Sequence, residues 1–287
     1  LARATAEQLK SQGMTSVSLR LDDTLFTGAQ WNDGWEAGNE QYVAKIQPIM
    51  VDISSTQNQG YSADPAMEAA QAFARHLSDA GITVDGDASR AAASSGAREL
   101  ASVSSAPLSD ILALSLKTSD NTMTEVEGRL VAVQAKETAD FAGASKAVAA
   151  QLRKDGFDTS GLTLLDSSGL AVGNKVPPRL LAQVIARAAG DSGGTTGRTL
   201  LADLPVGGLD GTLDERFVGA AGEGTLRAKT GSLDQSASLT GTVVTQDGRL
   251  LAFAVVVDGF ESGGLTAART AIDKDLAGPL AACGCQG

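Results

Sequence analysis

The stretch Arg227-Ala228-Lys229-Thr230-Gly231-Ser232 limits the possible folds more than any other part of the chain. It follows Thr225-Leu226 and alternates as a strand does, with Leu226 and Ala228 on one face and Thr225, Arg227 and Lys229 on the other. The pattern predicts a strand that ends with a lysine beside a hydroxyl. Gly231 comes next and has no side chain to hold a ligand away from the backbone. An ammonium supplies charge, a hydroxyl a directed hydrogen bond, and bare amides lie beside them, a set suited to an anionic ligand. The same residues also suit a plain strand entering a turn, so the triplet needs a companion before it implies chemistry.

The companion is Ser119-Asp120-Asn121, which lies upstream between two apolar helical patterns. Ser, Asp and Asn are ordinary helix-start residues. They also suit a tight interhelical joint that holds a hydroxyl and an amide rigidly into a cleft. In this order, the two triplets match two of the three motifs of penicillin-recognising serine enzymes, Ser-x-x-Lys, Ser-Asp-Asn and Lys-Thr-Gly. The first, which carries the nucleophile, is absent. The residues three before each lysine are Glu7, Tyr42, Leu114, Val133, Gly143, Gln151, Val172, Leu226 and Ala271, none of them serine.

Composition narrows the partners. With 287 residues the chain can bury one large core or two ordinary ones. A formal net charge of −11 argues against nucleic acid and anionic membrane as partners. No apolar run reaches the roughly 18 residues that span a bilayer. The chain opens with Leu1 rather than Met, so an upstream segment is expected. Cys283 and Cys285 form a Cys-Gly-Cys near the end of the chain, either a local disulfide or a free pair, and with His76 the only histidine no metal site is expected.

Along the chain, helices are expected over residues 1–10 and from Asp64-Pro65, with a strand between them over 15–21. Phe26 to Asn39 holds both tryptophans in a loop that must pack them, and Asp52 to Ser62 reads as an exposed connection. The Ala, Ser and Gly-rich stretch 86–105 marks a domain boundary, with a short strand possible over 98–103. Apolar stripes predict helices over 108–117 (Leu108, Ile111, Leu112 and Leu116 inward), 122–134 (Met123, Val126, Leu130 and Val133 inward), 140–154 and 178–189. A glycine-rich loop spans 207–224, and strands 238–245 and 249–258 are joined by Asp247-Gly248, a strong hairpin signal. A helix over 265–276 closes the chain. Helices, an antiparallel sheet and a final helix indicate an α+β fold.

The chain resembles the class C low-molecular-mass penicillin-binding proteins, the D-alanyl-D-alanine carboxypeptidase/endopeptidase type. Beyond the two triplets, Ser105-Ala106-Pro107-Leu108, Leu165 to Leu170, and Leu204-Pro205-Val206 through Asp210-Gly211-Thr212-Leu213 are similar to the family's signatures. The resemblance implies the penicillin-binding-protein/serine β-lactamase-like transpeptidase fold, an antiparallel sheet with packed helices, plus an inserted smaller domain. The insert is expected over about 1–85 and the D,D-peptidase domain over 86–287, without its nucleophile segment.

It further implies a mechanism. A serine outside this chain attacks the carbonyl of a D-Ala-D-Ala peptide, and the lysine three residues later takes its proton. Ser119 relays a proton to the leaving amine, and Asn121 holds the peptide backbone or the catalytic lysine. Lys229 and Thr230 bind the terminal carboxylate beside Gly231, the Ser232 N–H is one oxyanion donor, and Asp120 fixes the turn. Lys229 also sets a field that keeps the neighbouring lysine neutral. Expected partners are peptidoglycan peptides and β-lactams, with no cofactor and an extracytoplasmic location. A class A β-lactamase shares the motifs, but residues 154–158 offer no deacylating glutamate. A non-catalytic wall-peptide binder would fit the absent nucleophile.

Overall fold

The computed structural model describes residues 1–51 and 60–284. Most of the expected 52–62 connection and Cys285 lie outside the described residues. The chain forms two compact units, each assembled from several stretches. One comprises residues 1–106, 122–147 and 166–168; the other comprises 107–121, 148–165 and 169–287. The chain therefore passes between units at several points, where the sequence suggested one boundary near residue 85.

In the first unit, helix α1 (Ala2–Ser11) and helix α2 (Pro65–Asp79) bury Ala2, Ala6, Leu9 and Leu77 with Ile82. Asp64 caps α2 by accepting the Met67 N–H at 3.3 Å, and Pro65 occupies the first turn, where its missing N–H costs nothing. The strand expected over 15–21 is two short pieces, β1 (Ser16–Val17) and β2 (Arg20–Leu21). They pair in parallel with β3 (Thr83–Val84) and β4 (Ser89–Arg90). Residues 98–103 form no strand.

Helix α4 (Asn121–Ala135) turns the opposite way from the apolar expectation. Thr122, Glu125, Gly128, Arg129 and Ala132 are buried, while Leu130 and Val133 are exposed. The cause is hydrogen bonding. Arg129 donates to the carbonyls of Thr27 (2.7 Å), Ala139 (2.9 Å) and Ala29 (2.6 Å) and lies over the Phe141 ring at 4.4 Å. Thr122 Oγ1 accepts the Ala44 N–H. Glu125 Oε1 accepts the N–H groups of Ser167 and Ser168, and burial pushes its carboxyl up to about 7. Trp35 packs edge-on against Phe141, at the start of helix α5 (Phe141–Lys154), and donates to Asp166 at 2.8 Å. Residues 26–47 have little regular structure, so these side chains supply the core that holds them.

In the second unit, strands β5 (Leu226–Leu233), β6 (Ser236–Val244) and β7 (Leu250–Asp258) form an antiparallel sheet in the order β5-β6-β7. Thr245 and Arg249 close the expected turn around Gly248, which takes φ +81°. One face packs Leu226, Ala228, Ala237, Leu239, Val243 and Phe253 against the C-terminal helices. These are α8 (Leu265–Ala271), a π-turn segment (Ile272–Ala277) and α9 (Gly278–Ala282), where a single helix was expected. Helix α6 (Pro178–Ala189) packs on β7 and on helix α7 (Gly194–Asp203), which the sequence did not announce. Helix α3 (Leu108–Thr118) meets α7 and the turn at 211–213. The expected apolar core of α3 is corrected: Ser115 is its buried residue, and Leu108 and Leu112 are exposed.

Register between β5 and β6 depends on Gly241, which pairs with Ala228. A Cβ there would meet Arg227 O at 1.9 Å and Ala228 Cα at 2.6 Å. Gly241→Ala is therefore expected to destabilise the protein by roughly 1–3 kcal/mol through overpacking. Thermal melting checks this, and a variant as stable as wild type would show that the strands have room to part.

Candidate active site

Lys229 and Ser119 meet. Helix α3 ends at Ser119, which takes the left-handed conformation (φ 56°, ψ 44°) that L-residues usually avoid. Its Oγ accepts a hydrogen bond from Lys229 Nζ at 2.5 Å, across 110 residues of sequence. The Asp120 N–H donates to Ser115 O and tightens the joint, and Asn121 opens α4 half-buried.

Lys229 lies in mid-strand, not at the strand end that the alternation predicted. Pairing with β6 continues through Leu233↔Ser236, so β5 extends past the triplet. The paired residues assign the faces. Lys229 shares its face with Thr240, and Thr230 shares the other with Leu239. A Cβ at Gly231 would meet Ser238 Oγ at 2.3 Å, so the glycine also relieves a cross-strand clash.

β5 is the sheet's edge strand, and alternation directs the N–H and C=O groups of 226, 228, 230 and 232 away from β6. The 204–213 segment covers the first two. Ala228 N donates to Pro205 O at 2.9 Å, and Gly207 N donates to Leu226 O at 2.9 Å. Further along, Thr212 Oγ1 meets Thr230 Oγ1 at 2.9 Å. Among the described residues, the N–H groups of Thr230 and Ser232 have no backbone partner, and the edge beside Lys229 is open there.

Lys117 locks this segment to the end of α3. Its ammonium donates to Leu204 O at 2.7 Å and to Asp210 Oδ2 at 2.6 Å. Burial works against an ionised Asp210, but the Lys117 ammonium and the Val206 N–H outweigh it and hold the carboxyl below its ordinary range. Gly211 sits where a Cβ would meet Lys117 O at 2.7 Å, and its φ is +59°. Lys117, Asp210 and Thr212 were not singled out as site residues, although the signature-like Asp210-Gly211-Thr212-Leu213 was a signal for two of them.

Burial brings the Lys229 ammonium down to about 8. Two pH effects of opposite sign follow. A bound carboxylate favours the charged amine, so affinity for a carboxylate-ended ligand should fall as pH rises past about 8, approaching about tenfold per pH unit. Folding responds the other way. The folded protein releases this proton before the unfolded chain does, so this group's contribution to stability rises with pH between about 8 and the ordinary lysine value of 10.5. Titrations from pH 6 to 10 check the first effect, and affinity unchanged over that range would remove the Lys229 charge from binding.

Residues 53–278 match the model of the D-Ala-D-Ala carboxypeptidase 3 (S13) family. The chain belongs to this family. A carboxypeptidase of Mycobacterium tuberculosis is 37% identical over 291 residues, covering 97% of this chain and 60% of that protein. Carboxypeptidase DacB of Mycolicibacterium smegmatis is 36% identical, with 98% of this chain and 61% of the relative covered. The chain thus spans about three fifths of the length of these relatives. Its structure is similar to penicillin binding protein 4 of Haemophilus influenzae, with a TM-score of 0.80 and 21% identity over 98% of this chain and 79% of that one. The fold is that of the penicillin-binding proteins, as the triplets implied.

Proposed function

We propose that this S13 chain carries the recognition and proton-relay half of a serine D-Ala-D-Ala carboxypeptidase/endopeptidase that acts on peptidoglycan stem peptides and is acylated by penicillins. One observation carries the reading: the Lys229 ammonium on the Ser119 hydroxyl at 2.5 Å, beside an open strand edge. The carboxypeptidase names of the relatives support it. In this reading the substrate lies along β5, its terminal carboxylate held by Lys229 and Thr230. The Ser232 N–H faces the edge and donates to the carbonyl oxygen as it becomes an oxyanion. Asn121 holds the peptide backbone, and Asp120 fixes the turn. The peptide C–N bond breaks as a serine–acyl bond forms. The attacking serine's proton, taken up by the lysine of its own Ser-x-x-Lys, passes through Ser119 to the leaving nitrogen, so Ser119 ends as a hydroxyl and Lys229 keeps its charge on the carboxylate. Water then hydrolyses the acyl-enzyme. In this reading the protein works outside the cytoplasm, where cell-wall peptides lie.

The attacking serine is assigned to a Ser-x-x-Lys that residues 1–287 do not contain. Labelling with fluorescent penicillin tests this on two polypeptides, residues 1–287 and the product of the complete coding sequence. Label is expected only on the second, at a serine outside these 287 residues. Stoichiometric label on the first, at any of its own serines, would overturn the assignment. The missing motif also favours a second reading, a wall-peptide binder without catalysis, for which neither polypeptide is labelled but D-Ala-D-Ala peptides bind.

A further inference from the structure

We propose that Arg269 is a specificity residue of this site, a second cation that selects ligands ending in a carboxylate and acts through Ser232. The inference rests on reading the site as a receptor for such peptides. Arg269 stands on α8, and its guanidinium donates to Ser232 Oγ at 2.6 Å. Ser232 lies on the same face of β5 as Thr230, so Arg269 approaches the open edge from the side opposite to Lys229. The two cations therefore flank one stretch of backbone whose N–H groups at 230 and 232 face outward.

The charge on Arg269 is not used elsewhere among the described residues. The carboxylate one helical turn onward, Asp273, is the natural (i, i+4) partner for it. Asp273 is instead held by both arms of Arg216, whose Nε donates at 3.0 Å. No other carboxylate lies within ion-pair distance of Arg269 among the described residues. An exposed arginine held by one neutral hydroxyl gains little stability. A carboxylate on the β5 edge gives it a matching partner, because the guanidinium fork fits two oxygens and keeps its charge at every working pH. Ser232 then passes the interaction on, accepting from Arg269 and donating its own O–H to the ligand. The Lys229 ammonium, held low by burial, loses its charge in alkaline solution, so the carboxylate binding that remains above pH 9 should depend on Arg269.

The test uses the full-length protein, with N-acetyl-D-alanine and N-acetyl-D-alaninamide as a probe pair and binding followed through the backbone amides of Thr230 and Ser232. In Arg269→Ala the carboxylate probe is expected to bind roughly tenfold to a hundredfold more weakly, the range for a lost hydrogen bond to a charged group. The amide probe should be unaffected, and Arg269→Lys should recover part of the loss. Equal weakening of both probes would assign Arg269 a packing role and overturn the proposal, as would carboxylate affinity equal to wild type. Penicillin acylation of the same samples separates this inference from the functional reading. Normal acylation with unchanged carboxylate preference removes Arg269 alone. No acylation with an Arg269-dependent preference keeps Arg269 and removes the peptidase.

Discussion

In the full-length protein, replacing Lys229 with alanine is expected to lower the second-order rate of penicillin acylation by about 10²–10³, the cost of removing one aimed charge or donor from a catalytic site. The loss should appear in substrate binding as well as in turnover, because on the proposed reading the ammonium both pairs with the substrate carboxylate and contacts the Ser119 hydroxyl. Stability should move by no more than about 1 kcal/mol. Lys229 makes no ion pair among the described residues; its donors go to Ser119 Oγ and Thr230 O, and burial opposes its charge. The substitution therefore removes a desolvated cation along with two hydrogen bonds, effects of opposite sign. Acylation kinetics and a thermal melt on the same preparation give the answer. A variant that loses several kcal/mol of stability yet acylates normally would make Lys229 a structural residue.

Features set by local chemistry were legible in the sequence. The Asp64-Pro65 start of α2 needs a capping carboxylate and a residue without an N–H, and both stand in order. The Asp247-Gly248 turn needs a positive φ, and Gly248 supplies it. The two triplets were legible because their residue types are rare in combination. What the sequence concealed depends on partners far along the chain. Leu130 and Val133 of α4 form a proper apolar stripe, yet Arg129 faces inward because the carbonyls of residues 27, 29 and 139 need its donors. The alternation of 225–229 shows the strand and its faces, but not its length, which depends on pairing with 236–244. Ser119 gave no sign of its left-handed backbone, because the conformation belongs to the interhelical joint rather than to serine. Lys117 and Asp210, 93 residues apart, carry no mutual pattern that a sequence could display.

Arg129→Met should destabilise the first unit strongly, by about 3–5 kcal/mol. Arg129 is 1% exposed, and methionine keeps much of its apolar length. The cost is polar. Three carbonyls, from Thr27, Ala29 and Ala139, lose a charged donor; Ala139 O keeps the Thr27 N–H, and the part-buried acceptors of Thr27 and Ala29 are left without one at a cost of up to about 1–3 kcal/mol each. Removing a buried charge recovers part of this, since burial already works against the Arg129 cation. Exchanging a whole buried ion pair for apolar residues can be neutral because both partners leave together. Backbone carbonyls cannot leave, so that route is closed here. Thr27 and Ala29 belong to a segment with almost no regular structure, and it has few other bonds to hold it. The melting temperature should fall by roughly 6–20 °C, taking about 2–4 °C per kcal/mol for a domain of this size class. Tryptophan emission should report the same event, because Trp35 packs edge-on against the Phe141 ring that Arg129 covers. A methionine variant that melts within a degree or two of wild type would mean that the three carbonyls find other donors and that Arg129 does not hold this segment.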